Sequence, residues 1–240
     1  MRFSTLTLAA VFAFSAAQAL AAPAEAPPPD LRPAPALNPR PDEVVTGVPI
    51  AYYTLALTWT PEWCRSGGSG ASAKEMECAR PLGFTLHGLW PDGAHPPYPG
   101  FCKPAGPLDL ATVRAMWRRT PSAVLLQHEW QKHGTCAAWP DARAYFAQSA
   151  KLFDRIAIPK VEAIPPGDLT AGAVRAAFLA KNPWLRREEI FVQSLRGRDD
   201  ALSEVRICYD LRFQPAACPG GDGAPDRVHL TLAPSRTGAF

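Results

Sequence analysis

The sequence predicts an α+β fold, with a mainly antiparallel central sheet packed against several helices and stabilised by disulfides. Two observations support this prediction. Segments with helical periodicity are grouped in the middle of the chain, whereas segments typical of strands lie towards both ends, an order found in α+β proteins. The chain also carries six cysteines behind a segment typical of secretory signals, and an even number of cysteines in an exported protein predicts disulfides.

Strands are expected where β-branched and aromatic residues are concentrated. These segments are residues 50–60, 84–89, 190–195 and 205–211, with a short last strand at 230–232. Helices are expected where apolar residues recur with helical spacing. These segments are residues 108–119, 122–133, 141–156 and 168–181. Asp141 is placed to cap the third helix, and Thr170 is an alternative cap for the fourth.

Two N-terminal segments precede the predicted domain. Residues 1–22 are typical of a secretory signal peptide, with Arg2, a short apolar core at 6–17 and alanines that provide a cleavage site. An uncleaved membrane anchor is the alternative, but the apolar core is short for a bilayer span. Residues 23–47 are dense in proline and alanine, which predicts a disordered or extended tether. The folded domain is therefore residues 48–240. We expect an exported protein, periplasmic or extracellular, with no membrane association after signal cleavage.

The cysteines can pair in fifteen ways. Proximity along the chain favours two pairs and leaves a third: Cys64–Cys78, Cys208–Cys218 and Cys102–Cys136. A structural metal site is the alternative, but the sequence has no Cys-x-x-Cys spacing. The pair Cys102–Cys136 would join the end of the predicted helix at 122–133, which is rich in histidine, to the segment that follows a second histidine motif at 84–91.

The histidine-rich helix carries four titratable side chains on one face. His128 and Lys132 are four residues apart, and so are Glu129 and His133, which places all four within an arc of about 140°. Gly134 follows them as a helix C-cap that we expect in the left-handed conformation. This face therefore combines proton donors or acceptors, an anion and a cation.

A third histidine comes from a different element. Phe84–Leu89 is predicted as a strand that carries His87, and Gly88 allows close approach of backbone or ligand beside it. Two histidines on separate elements, with a lysine beside one, suit cleavage of RNA by its own ribose. One histidine takes the proton from the 2′-hydroxyl, and the other protonates the departing 5′-oxygen. A cation stabilises the charge that develops on the phosphate.

The two motifs, Phe-Thr-Leu-His-Gly-Leu-Trp-Pro at 84–91 and His-Glu-Trp-x-Lys-His-Gly-Thr-Cys at 128–136, resemble the active-site segments of the ribonuclease T2 family. Both motifs match without a break, and supporting features extend the likeness over most of residues 50–218. The resemblance implies an exported α+β protein that cleaves single-stranded RNA through a 2′,3′-cyclic phosphate to a 3′-phosphate, with low sequence specificity. It implies no cofactor and no metal.

The resemblance also implies catalytic roles for four residues. His133 is expected as the general base and His87 as the general acid, with the roles exchanged when the cyclic phosphate is hydrolysed. Lys132 and Glu129 are expected to support the transition state, with Lys132 countering the phosphate charge.

Four further residues are expected to bind the substrate. His128 is expected to hold the phosphate, and Trp90 corresponds to the family's base-stacking residue, a contact worth about 1–3 kcal/mol. Asp92 and Tyr98 lie where some members of the family contact the same base.

Three other classes of protein fit these residues less well. A zinc hydrolase of the His-Glu-x-x-His type needs histidines four apart, whereas His128 and His133 are five apart. A zinc site that adds His87 remains an alternative, which chelation would test. A glycosidase needs a pair of carboxylates that neither motif provides. A non-enzymatic relative that binds RNA is expected to lack one of the paired histidines, and this sequence keeps both.

The expected partner is single-stranded RNA. A formal net charge of +3 and a pI of about 8.6 permit a polyanionic partner without identifying one. We expect no stable complex with DNA, which lacks the internal nucleophile, and we expect a monomer.

Overall fold

The computed structural model describes residues 26–66, 78, 80–197 and 199–234, so the predicted signal peptide lies outside the described residues. Four strands are defined: β1 (Tyr52–Trp59), β2 (Phe84–Asp92), β3 (Ile190–Leu195) and β4 (Ala201–Tyr209). They form one antiparallel sheet in the order β2-β1-β4-β3. The predicted strand at 230–232 is wrong, because this segment makes only an isolated bridge from Thr231 to Ala201.

Five α-helices accompany the sheet in the described residues. They are α1 (Thr60–Arg65), α2 (Leu110–Met116), α3 (Ala123–Lys132), α4 (Ala142–Arg155) and α5 (Ala171–Lys181). The last four coincide with predicted helices, and each has a capping side chain that accepts a hydrogen bond from the backbone of its first turn. These caps are Asp109, Ser122, Asp141 and Thr170. The short helix α1 was not predicted; Pro61, which ends β1, occupies the first turn, where proline is tolerated.

Strand register divides the sheet into an apolar and a polar face. Successive side chains of a strand point to opposite faces of the sheet, and residues paired across two strands point to the same face. One face carries buried aliphatic residues from three strands: Leu55, Leu57, Leu86, Leu89, Val205 and Ile207. The opposite face carries Thr58 paired with Glu204, and Ala56 paired with Arg206. The polar face holds the candidate site.

Two β-bulges interrupt this register. Between β1 and β2 the pairing passes from Ala56–Gly88 to Leu57–Leu86, which leaves His87 as the extra residue. Between β3 and β4 it passes from Gln193–Glu204 to Ser194–Leu202, which leaves Ser203 as the extra residue. A bulge bends its strand and re-aims the side chains beside it. Both bulges therefore lie at residues that build the polar face.

The N-terminal segment packs on the domain, contrary to the prediction of a disordered tether. Leu31 is buried in the hydrophobic core. The backbone N–H and C=O of Leu37 both bond the side-chain amide of Gln131 on α3, and Val45 exchanges two backbone hydrogen bonds with Gly100. The described part, 26–47, is largely without regular structure, as expected, and most of its residues are exposed although these contacts hold it on the domain. Proline and alanine content alone did not indicate these contacts.

All three predicted disulfides are present: Cys64–Cys78, Cys102–Cys136 and Cys208–Cys218. The second joins the turn after α3 to the loop after β2, as expected. Within the part of the chain that is described, no helix has the length and apolar character needed to cross a membrane.

Candidate active site

His87 is held between two carboxylates. Its Nδ1 lies 2.7 Å from Oε1 of Glu204 and 3.1 Å from Oγ1 of Thr58. Its Nε2 lies 3.4 Å from Oε1 of Glu129, and 27% of its side chain is exposed. Burial opposes the charged form of His87, but Glu129 and Glu204 outweigh it and raise the pKa to about 10. This imidazole is therefore positively charged at neutral pH.

Glu129 is the buried anion of the site. Only 1% of its side chain is exposed, and its Oε2 accepts a hydrogen bond of 2.7 Å from Nε1 of Trp90. Burial would raise its pKa, but the imidazoles of His133 and His87 lower it to about 2. A Cβ at position 88 would lie 1.8 Å from Oε2 of Glu129. Gly88 is therefore required for the close approach of the carboxylate to β2, as the sequence suggested.

His133 occupies the opposite electrostatic environment. The pKa of His133 is lowered to about 3, mainly by burial, with smaller contributions from Lys132 and His128, and Glu129 opposes this change. Its ring stacks on Trp90, with centroids 5.3 Å apart and planes 27° apart. Its buried Nδ1 has no hydrogen-bond partner among the described residues. This imidazole is therefore neutral at neutral pH.

Gly134 has a different role from the one predicted. Helix α3 ends at Lys132, His133 is its C-cap with φ −108°, and Gly134 is not among the described residues with a positive φ. A Cβ at position 134 would lie 2.3 Å from the ring of Trp130 and 3.1 Å from that of Tyr145. The glycine is needed for close packing, not for a left-handed backbone.

Two cavities flank these histidines, one lined by His133 and the other by His87. The first, of about 430 Å³, is lined by His133, Lys132 and the predicted base-binding residues Trp90, Asp92 and Tyr98. The second, of about 370 Å³, is lined by His87, Glu204, Thr58 and residues of α1. Arg206 lines both cavities. The arrangement offers the charged imidazole of His87, the neutral imidazole of His133 and the cations of Lys132 and Arg206 around a cleft large enough for a nucleotide.

The profile of the ribonuclease T2 family matches residues 50–218, well over half of the chain. The chain belongs to the ribonuclease T2 family. A probable ribonuclease of Haemophilus influenzae is 33% identical over 185 residues, which cover 71% of this chain and 61% of that protein. A ribonuclease of Aeromonas hydrophila is 43% identical over 86 residues, which cover 36% of this chain and 37% of that protein. The chain therefore spans less than two thirds of the length of both bacterial relatives.

Solved structures of plant ribonucleases share the fold. The self-incompatibility associated SF11-RNase of Nicotiana alata superposes with a TM-score of 0.56 at 21% identity, covering 78% of this chain and 100% of that chain. RNase NT superposes with a TM-score of 0.54 at 19% identity, covering 76% of this chain and 98% of that chain. These likenesses confirm the α+β fold predicted from the order of the elements.

The resemblance to the T2 family implied that four residues bind the substrate, and these residues differ in how far they are exposed. Trp90 is partly exposed and contacts His133, His87 and Glu129. Asp92 accepts a hydrogen bond of 2.8 Å from Thr54, and burial raises its pKa to about 6 although that bond and Arg206 oppose the change.

Tyr98 and His128 are less enclosed than Asp92. Tyr98 is 47% exposed at the rim of the first cavity. His128 lies edge-on to Phe101 and 6.4 Å from the ring of His133, and burial lowers its pKa.

Sequence reasoning missed two charged residues on β4. Glu204 bonds His87, and Arg206 both pairs with Glu204 at 2.6 Å and lies over the ring of Trp90 at 5.0 Å. The predicted strand began at Val205, so Glu204 was left in the preceding loop. The alternation of charged and apolar residues at 204–207 was the available signal, because period two marks a strand with one polar face.

Three side chains at the C-terminal end of α3 lie close enough together to be considered as ligands of a metal ion. One ligand atom each of His128, Glu129 and His133 lies within 4.8 Å of the others. Oε2 of Glu129 accepts a hydrogen bond from Trp90, and Oε1 lies 3.4 Å from Nε2 of His87 without a hydrogen-bond partner among the described residues. The charges of Glu129 and His87 are opposite, and we assign no metal ligand to this cluster.

Proposed function

We propose that this protein is a metal-independent endoribonuclease that cleaves single-stranded RNA with low sequence specificity. The 2′-hydroxyl of the RNA attacks the adjacent phosphorus, the 5′-oxygen leaves, and the resulting 2′,3′-cyclic phosphate is hydrolysed to a 3′-phosphate. The pair His87 and His133 carries this proposal. These imidazoles come from separate elements, and their pKa values are displaced in opposite directions within one site. Such a separation assigns one group as acid and the other as base.

The roles follow from the two protonation states. Neutral His133 takes the proton of the 2′-hydroxyl as the oxygen–phosphorus bond forms. Charged His87 gives its proton to the 5′-oxygen as the bond from phosphorus to that oxygen breaks. In the hydrolysis step His87, now neutral, accepts a proton from water and His133 returns its proton to the 2′-oxygen.

The charges around the cleft suit a phosphate. Lys132 lines the first cavity beside His133, where its ammonium can stabilise the additional negative charge of the transition state. His128, whose ring centroid is 6.4 Å from that of His133, is proposed to hold the phosphate in the ground state. Glu129 keeps His87 charged, which supports the transition state indirectly.

The first cavity is proposed to hold the base. Trp90 offers part of its ring for stacking, and Asp92 and Tyr98 offer polar groups to base edges. RNase NT has been crystallised with 5′-AMP and a mutant of RNase MC1 with 5′-GMP, which supports a nucleotide in the corresponding cleft here. DNA lacks the 2′-hydroxyl, so we propose that it is neither cleaved nor held in a stable complex.

We also propose that the protein is exported, to the periplasm or the extracellular space, and acts as a monomer. Three disulfides support an oxidising compartment. A relative from Solanum lycopersicum, 31% identical over 171 residues, is an extracellular ribonuclease.

The test is to incubate purified protein with a single-stranded RNA in excess EDTA and identify the fragment ends by mass spectrometry. We expect fragments that end in 2′,3′-cyclic phosphate and later in 3′-phosphate. The matched control is the same RNA with one 2′-deoxy nucleotide, which should be resistant only at the bond that follows it. Cleavage that requires zinc, or no cleavage by a protein that still binds RNA, would contradict the proposal.

A further inference from the structure

We infer that Glu204 is a positioning residue for the general acid: it holds Nδ1 of His87 so that Nε2 presents the proton delivered to the leaving 5′-oxygen. This inference rests on the proposed function and adds a residue outside both histidine motifs. It comes from the contacts on the polar face of the sheet, where His87, Glu204 and Arg206 form a continuous hydrogen-bonded chain.

The carboxylate of Glu204 is almost fully enclosed and both its oxygens are engaged. Oε1 lies 2.7 Å from Nδ1 of His87 and 3.4 Å from Oγ1 of Thr58. Oε2 accepts from Nε of Arg206 at 2.6 Å. Only 9% of the side chain is exposed. A carboxylate buried in this way cannot rotate to solvent without losing its partners, so it fixes the plane of the imidazole.

The fold places this contact independently of the helix that carries the other histidine. Thr58 pairs with Glu204 across β1 and β4, and His87 is the bulged residue of β2 on the other side of β1. The carboxylate therefore reaches His87 across the intervening strand, beside the hydroxyl of Thr58. The residues are 117 positions apart in the sequence, and they meet because the regular register of β1 with β4 places Glu204 beside Thr58 and His87 is bulged from β2 on the other side of β1.

The geometry divides the two nitrogens of His87 between two tasks. Nδ1–H donates to Glu204, and Nε2–H is directed to the side of Glu129 and the cleft. During cleavage the Nε2–H bond breaks as the proton bonds to the 5′-oxygen and the phosphorus–oxygen bond breaks. The imidazole is left neutral with its remaining proton on Nδ1, where Glu204 retains it. This is the tautomer that can accept a proton from water in the second step.

Other charged groups near His87 act on the same proton. From α3 these are Glu129, His128 and His133; from β4 Arg206 lies behind Glu204. From α1 the second cavity is lined by Glu62, which is paired with Arg65 at 2.8 Å. Glu129 interacts with both His87 and His133, whereas Glu204 contacts only His87 of these two histidines. Changing Glu204 should therefore affect the acid without changing the base.

The experiment compares Glu204→Gln with Glu189→Gln in the full-length chain. Glu189 is also a buried glutamate paired with an arginine, but it lies outside both cavities. The measurement is the pH dependence of kcat/KM for a dinucleotide RNA. We expect Glu204→Gln to move the alkaline limb to lower pH by about one unit or more with little change in the acid limb, and we expect Glu189→Gln to leave both limbs in place.

A second variant provides a shift of opposite sign. Arg206→Gln removes the cation that competes for Glu204, so the alkaline limb should move to higher pH. A general loss of stability would not move one limb in opposite directions in two variants, and the limb can be read from whatever folded fraction remains.

Unchanged alkaline limbs in both variants, in a wild type that forms cyclic phosphate, would overturn the role of Glu204. A wild type that forms no cyclic phosphate at any pH would instead overturn the proposed function.

Discussion

The two histidines of the site differ in the elements that surround them. His87 lies on a bulged strand between two carboxylates, which raise its pKa to about 10. His133 lies at the end of α3, where burial and the neighbouring cations lower its pKa to about 3. In the proposed mechanism, one side chain type thus serves as a charged acid and as a neutral base in a single site. The difference teaches that the chemistry of each imidazole is set by its neighbours, not by the residue itself.

Glu129 links the two environments. Its carboxylate faces His87 on β2 and influences His133 one turn further along α3. Because a single anion stabilises the charged form of both imidazoles, it cannot separate them. Burial opposes the charged form of both imidazoles, so the separation comes from Glu204, which contacts His87 and not His133, and from Lys132, which acts against the charged form of His133.

The largest expected effect is the loss of activity when either histidine is replaced. A substrate with a different leaving group then distinguishes the acid from the base. On RNA, His87→Ala and His133→Ala should each lower kcat/KM by about 10²–10⁴-fold, because each proton transfer contributes that much. A uridine 3′-(p-nitrophenyl phosphate) needs no acid, since nitrophenolate leaves without protonation. His87→Ala should therefore retain most of its activity on this substrate, whereas His133→Ala should lose activity on both. Recovery of the His133 variant instead would reverse the assigned roles.

A smaller loss is expected when the shared anion is displaced. In Gly88→Ala the new Cβ would meet Oε2 of Glu129, so the carboxylate must move away from β2. A displacement of about 1 Å at a catalytic group costs on the order of 10²-fold in rate, and we expect a loss of that size in kcat. Gly106→Ala is the matched control, because a Cβ there meets nothing within 4 Å. Equal activity of the two variants, measured on RNA at one pH, would count against the role of Glu129.

The smallest expected effect concerns the acid limb of the pH profile. Lys132 lowers the pKa of His133, so Lys132→Gln should raise that pKa. Because the base works only when neutral, and is neutral above its pKa, the acid limb of kcat/KM should move to higher pH, by less than about one unit. The alkaline limb, which reports the acid, should stay in place. Lys151→Gln on the exposed side of α4 is the control and should move neither limb.

Much of the fold could be predicted because its signals are local. Capping residues and helical periodicity indicated α2 to α5, and the span predicted for β3 matches the observed strand. The bulge at His87 is also visible in the local pattern of apolar residues, which the predicted strand did not take into account. Leu86 and Leu89 are three residues apart yet share the apolar face, which strict alternation does not allow. The same step recurs in β4 between Leu202 and Val205.

Contacts between distant segments could not be predicted from such signals. The packing of Leu37 against Gln131 joins residues 94 positions apart, and nothing in a proline-rich segment specifies its partner. The contact of Glu204 with His87 depends on the strand order β2-β1-β4-β3, on the bulge between β1 and β2 and on the register of β1 with β4. A change of one residue in either register would turn the side chain to the opposite face.

The sequence by itself identified the candidate catalytic residues and their spacing on one strand and one helix, because a motif specifies side-chain identity and local geometry sets its direction. For the cysteines, fifteen pairings were possible, and proximity along the chain favoured the three pairs that the structure contains. Only the tertiary structure decided which imidazole is charged, because a pKa depends on burial and on charges brought from other elements. Glu204 reaches His87 through pairing of strands remote in sequence, and that pairing is a property of the whole sheet.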